Sequence, residues 1–182
     1  MHRKASVLSD VSERVKITMQ SHHPTAFLAH QSEDKNRVQT VLEHLEGTAA
    51  LAEQFALPFG GGEQARLAGM LHDIGKYSEA FQSRLQGSSC TVDHSTAGAQ
   101  EAFRLRQPEA AFAIAGHHSG LPDGGSSTDR SERPTLFGRL KKAVEPCETW
   151  SREVQPSLSS AKRPAQIAPD NLSEAFYTRM LY

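Results

Sequence analysis

Apolar residues return every three or four positions over 36–55, where Val38, Val41, Leu42, Leu45, Ala49 and Ala52 fall in register. Pro58 and the run Gly60, Gly61, Gly62 end the pattern, so the spacing predicts one amphipathic helix. A second is expected from Glu63, with Leu67, Met70, Leu71, Ile74, Phe81 and Leu85 on one face, Gly75 as a possible kink and Gly87 past its end. Asp93 and Ser95 suit the cap of a third helix reaching Leu105. Pro108 and Glu109 open an Ala-rich fourth, which reaches His117 and stops at Gly120. No stretch alternates as a half-buried strand does, and the fold class expected is all-α, a helical bundle.

The flanks differ. Residues 1–28 are polar and broken by Pro24, which predicts a loosely ordered extension ahead of a single domain at 29–182. Six of the nine prolines lie beyond Leu121, among serines and charges. A short helix fits 136–144, but a long irregular C-terminal loop region, exposed or lid-like, is expected over 122–170. Leu172, Ala175, Phe176 and Met180 are again helically spaced, in a helix that reads as cut short at Tyr182.

Charge and composition narrow the classes. Twenty Lys+Arg balance 21 Asp+Glu, so no global positive field recruits nucleic acid and any such binding has to be local. With no long apolar run and no apolar leader, the chain is expected to be cytoplasmic, without membrane contact. Cys90 and Cys147 share no metal-binding or disulfide spacing and read as two reduced thiols. No Gly-x-x-x-x-Gly-Lys-Ser/Thr loop occurs, which excludes an ATPase or helicase of that kind.

Histidine is the outlier, at nine residues. His72 and Asp73 sit in Gly-Met-Leu-His-Asp-Ile-Gly-Lys, on an expected helix, with Lys76 one turn on and Gly69 leaving space one turn back. His44 lies midway along the first helix, His94 opens the third, and His117 and His118 end the fourth, where Gly116 and Gly120 let the chain turn. Any one of these reads equally well as an ordinary core or surface histidine. As a set, with imidazole from four successive helices and a carboxylate beside one, they point to divalent metal held inside a bundle. Such an imidazole-rich shell favours Mn, Fe, Co or Ni over Mg. Arg130, Arg133, Arg139, Lys141 and Lys142 form a basic stretch that reads either as a DNA-backbone contact or as a solvated face.

EHLEGTAALAEQF, AGMLHDIGKYSEAFQ, DHSTAGAQ and AIAGHHSGLPD together resemble the HD nuclease domain of the CRISPR-associated type I effector nuclease-helicase, most of all its subtype I-C form, over about 29–121. The resemblance implies an HD-domain bundle in which His44, His72 and Asp73 bind one metal ion. Asp73 would bridge to a second ion held by His94, His117 and His118, with Lys76 beside the centre as a catalytic residue together with Asp73. It implies hydrolysis of single-stranded DNA in antiviral defence, with a helicase domain or subunit and a guide-RNA surveillance complex as partners. His30 matches an early family histidine and is expected to be structural, while His2, His22 and His23 in the extension are expected to have no catalytic part. The family's further aspartate, expected on the helix after a segment like YTRMLY, does not occur before Tyr182, which leaves the first metal site short of a carboxylate. Two other readings stay open: an HD-family nucleotide phosphohydrolase, and a catalytically impaired HD module that serves as a docking surface.

Overall fold

The computed structural model describes residues 26–156 and 161–182. It opens on an antiparallel hairpin, β1 (Leu28–Gln31) and β2 (Val38–Thr40), followed by α1 (Val41–Ala56), α2 (Gly62–Leu71), α3 (Glu79–Leu85), α4 (Ser95–Arg104), α5 (Pro108–Gly116), α6 (Leu136–Arg139), α7 (Trp150–Glu153) and α8 (Asn171–Leu181). Short 3-10 turns at Leu57–Phe59 and Ile74–Tyr77 link α1 to α2 and α2 to α3. The bundle expected from apolar spacing is therefore present, since α1 packs on α2, α4 on α5, and α5 on both α2 and α8. Among the described residues no helix is long and apolar enough to cross a membrane.

Two boundaries depart from the helical pattern. Residues 36–40 do not start α1, because Thr40 accepts from the Glu43 N–H while the Glu43 carboxylate accepts from the Thr40 N–H. That reciprocal cap fixes the helix start at Val41 and releases the residues before it to pair as β2 with β1. The second predicted helix is interrupted as well. It stops at Leu71, and Asp73 leaves helical geometry at φ −123° and ψ 22°, before Ser78 caps α3 by accepting from the Phe81 N–H.

The core is aliphatic. Leu45, Leu71, Ile74 and Ile114 are each at most 1% exposed and contribute roughly 2 kcal/mol apiece by leaving water. The proline-rich stretch after α5 is not simply the exposed loop expected for it. Leu136, Cys147, Val154 and Ala161 are buried against the helices, so α6, α7 and their flanks cover one side of the bundle. Cys90 is exposed and Cys147 buried, both as free thiols.

Two glycines bring α4 against the end of α2. A Cβ on Gly98 would lie 2.0 Å from the Leu71 carbonyl oxygen, and one on Gly75 would lie 2.3 Å from that of His94. Gly98→Ala is therefore expected to cost about 3 kcal/mol, because backbone rather than a mobile side chain has to give way. The midpoint of chemical denaturation checks this, and a change within the range of a surface substitution would refute the close packing.

Candidate metal centre

The break after α2 creates the site. Asp73 follows the end of α2 in non-helical geometry, and its side chain is 3% exposed. His72 is the C-cap of α2, His94 the N-cap of α4 and His117 the C-cap of α5, and His44 lies in the first turn of α1 rather than midway along it, so all four come from at or near helix ends.

All of them converge on one carboxylate. Asp73 Oδ2 lies 2.9 Å from His44 Nε2 and 3.2 Å from His72 Nε2, and those two nitrogens are 3.1 Å apart. Asp73 Oδ1 lies 3.2 Å from His117 Nε2 and 3.4 Å from His94 Nε2, and the last faces His118 Nε2 at 2.8 Å. The ligand atoms thus form two groups, His44 with His72 and His94 with His117 and His118, sharing Asp73. Lys76 Nζ completes the surroundings of Oδ2 at 2.9 Å.

The proton positions follow from the other ring nitrogens. His72 Nδ1 donates to Gly69 O at 2.8 Å, His117 Nδ1 to Ile114 O at 2.7 Å and His94 Nδ1 to Val92 O at 3.2 Å. A carbonyl oxygen can only accept, so each Nδ1 carries a proton, and in a neutral ring Nε2 is then left with a lone pair facing Asp73. Burial, the largest influence, holds His94 and His118 below the ordinary histidine value, which favours that neutral form. Burial alone would raise the Asp73 carboxyl, but attraction to the facing His117, His44 and His72 rings outweighs it and keeps the group well below the usual carboxylate range, an attraction that requires a proton or a cation between ring nitrogen and oxygen.

Lone pairs pointed at a carboxylate repel it unless a cation lies between them. Asp73 Oδ1 and His117 Nε2 are both buried without a hydrogen-bond partner, which is an expensive state for a charged oxygen and a ring nitrogen. Five imidazoles, one shared carboxylate and carbonyl-anchored Nδ1 protons together match the donor set and second layer of a divalent metal centre.

Each sequence-predicted ligand, His44, His72, Asp73, His94, His117 and His118, is brought into this cluster, and Lys76 with them. His30, expected to be structural, borders the cluster from the hairpin: its Nε2 accepts from Lys76 Nζ at 3.3 Å, and its ring sits edge-on to His44 at 4.9 Å. Burial and then the Lys76 charge lower its basicity, which keeps Nε2 free to accept. Gly69 leaves no space, because the Ala49 backbone of α1 fills the position. In the basic stretch, Lys141 bonds the Ser127 and Asp129 carbonyls, and Arg139 bonds Ser95 and the Ala115 carbonyl, so these two serve the fold rather than forming a solvated strip. His2, His22 and His23 lie outside the described residues.

The family model of the HD domain matches residues 41–159, well over half of the chain, and the chain belongs to the HD domain family. HD domains are in general metal-dependent hydrolases, a chemistry that the donor set of this centre suits. No curated protein matches the chain.

Proposed function

We propose that the chain is a nuclease that hydrolyses phosphodiester bonds in single-stranded DNA, as the cutting module of a CRISPR-associated type I effector nuclease-helicase. The observation that carries the metal-dependent part is the convergence of carbonyl-anchored imidazoles on both oxygens of Asp73. The DNA and antiviral part rests on the ordered combination of HDxGK, DHSxAG and GHHxGL, and with it come a helicase and a guide-RNA complex as partners.

In this reading His44 and His72 would hold one divalent ion, and His94, His117 and His118 would hold a second, with the Asp73 carboxylate available to both groups. The chemistry such ions supply is polarisation of a phosphoryl group and activation of a water nucleophile. A bond forms between the water oxygen and phosphorus, one ester P–O bond breaks, and the alcohol leaves with a proton. Asp73 stays ionised throughout, because its pKa lies far below neutrality. Lys76, buried beside it, places a fixed positive charge where negative charge grows on the phosphoryl oxygens. The carbonyl bonds to His72 and His117 hold the rings still, so little reorganisation accompanies the reaction.

The test is metal analysis after reconstitution with Mn, Fe, Co or Ni, alongside assays on a single-stranded oligonucleotide and on mononucleotides. Bound transition metal and a shortened oligonucleotide are expected. Phosphate released from mononucleotides, with the oligonucleotide intact, would replace this reading with an HD nucleotide phosphohydrolase. A normally folded protein that takes up no metal would make it a docking module instead.

A further inference from the structure

The stretch between α5 and α8 carries a device that the sequence pattern concealed. Asp123 pairs with Thr135 in a parallel bridge, and the N–H groups of Leu136 and Phe137 donate to the carbonyls of Asp123 and Gly124 at 2.8 and 3.1 Å. The Asp129 carboxylate accepts from the Thr135 hydroxyl at 2.6 Å and the Ser126 N–H at 3.2 Å, while Lys141 Nζ donates to Ser127 O at 2.6 Å. Thr135 caps α6 by accepting from the Gly138 N–H. These bonds close 123–141 on itself and deliver Arg139 to one place. There its Nη1 donates to Ser95 Oγ at 3.1 Å and to the carbonyl of Ala115. Ser95 follows His94, and Ala115 precedes His117 by two residues, so the guanidinium is fixed to the shell of the second ligand group.

A cleft of about 380 Å³ opens at that point, lined by Arg139, Arg84, Ser95 and Ser119 together with His94 and His118. Arg84, in the last turn of α3, is exposed and forms no ion pair among the described residues. Only Nη1 of Arg139 is used by the protein among those residues, which leaves the donors on Nε and Nη2. The one acid on the wall, Asp93, is occupied by the Thr96 N–H and hydroxyl at 3.1 and 2.8 Å, with Lys142 3.8 Å away. The cleft is therefore net cationic, donor-rich and continuous with two of the imidazoles of the metal centre.

We propose that this cleft is a phosphate subsite, in which Arg84 and Arg139 grip a phosphate group of the substrate neighbouring the one that is cleaved. The inference rests on the hydrolase reading above and deepens it. A second phosphate site outside the metal ligands favours a polynucleotide over a nucleoside monophosphate, which has no neighbouring phosphate to fill it. Arg139 suits the task because its fork is already immobilised, so little side-chain entropy is lost when an anion arrives.

The experiment titrates inorganic phosphate into metal-free protein, followed by 31P NMR, for the wild type, Arg84→Gln, Arg139→Lys and the control Arg66→Gln, whose guanidinium pairs with Glu53 instead. The wild type and control are expected to bind phosphate saturably, and each of the two other variants about tenfold more weakly, the loss of one charge-assisted contact. With metal restored, Arg84→Gln is expected to keep its metal content and kcat on an oligonucleotide while KM rises. Arg84 is exposed, so that variant remains informative even where Arg139→Lys loosens the loop. Absent phosphate binding in the wild type, or equal binding in all four proteins, overturns the subsite. An oligonucleotide cut with unchanged KM by Arg84→Gln also overturns it while leaving the nuclease reading intact. Arginine-dependent phosphate binding in a wild type that leaves the oligonucleotide whole supports the subsite and overturns the nuclease reading.

Discussion

In the proposed two-ion centre, Asp73→Asn is expected to abolish metal binding by both ligand groups at once and to lower hydrolysis by more than about a hundredfold. The reason is the division of its two oxygens: Oδ2 faces His44 and His72, and Oδ1 faces His94 and His117. Removing even an outer partner of a metal ligand commonly costs 10- to 100-fold in affinity, and Asp73 is the one carboxylate in either group among the described residues. Asparagine keeps the volume but loses the charge and one acceptor. The same change strips the countercharge from Lys76, whose side chain is 5% exposed, so the metal-free variant is expected to lose about 3 kcal/mol of stability. Metal content per chain, oligonucleotide cleavage and denaturation midpoint are the three readings. A variant that retains one ion tightly would show that Asp73 serves a single group and bridges nothing.

Much of this centre was legible because the information is local. His72 with Asp73, and His117 with His118, are adjacent pairs at the ends of apolar helical runs, and His44 and His94 fall on the same helices that spacing predicts. What spacing could not give is the break after Leu71. It depends on Gly75 lying against the His94 backbone and on Gly98 lying against Leu71 O, contacts between residues far apart in sequence. The hairpin was invisible because strands of four and three residues are too short to alternate. The Nδ1 anchors of His72 and His117 leave a faint sequence trace, since both donate to a carbonyl three residues back at a helix end, a spacing that any helical histidine shares. Arg139 was read within a run of basic residues, and only the bonds of 123–141 separate it from its neighbours.

Lys76→Met is expected to move metal affinity and turnover in opposite directions. The methionine side chain follows the path of the lysine stem and fills the same space beside the Phe81 ring, whose centroid lies 5.4 Å from Nζ, so the fold is expected to persist. The ammonium now occupies Asp73 Oδ2 at 2.9 Å and repels any cation bound between that oxygen and His44 or His72. Its removal frees the oxygen and is expected to tighten the first ion several-fold. His30 loses the donor at its Nε2 and turns to water, which its exposed position permits. If Lys76 stabilises charge on the reacting phosphoryl oxygens, kcat falls by about 10²- to 10³-fold despite the tighter metal, the scale seen when one fixed donor to a developing oxyanion is deleted. Competition with a chromogenic chelator measures the first quantity, and single-turnover cleavage at saturating metal measures the second. A variant whose metal affinity and rate fall together would instead assign Lys76 to holding Asp73 in place, and the positive charge at the reacting phosphoryl group would then have to come from bound metal alone.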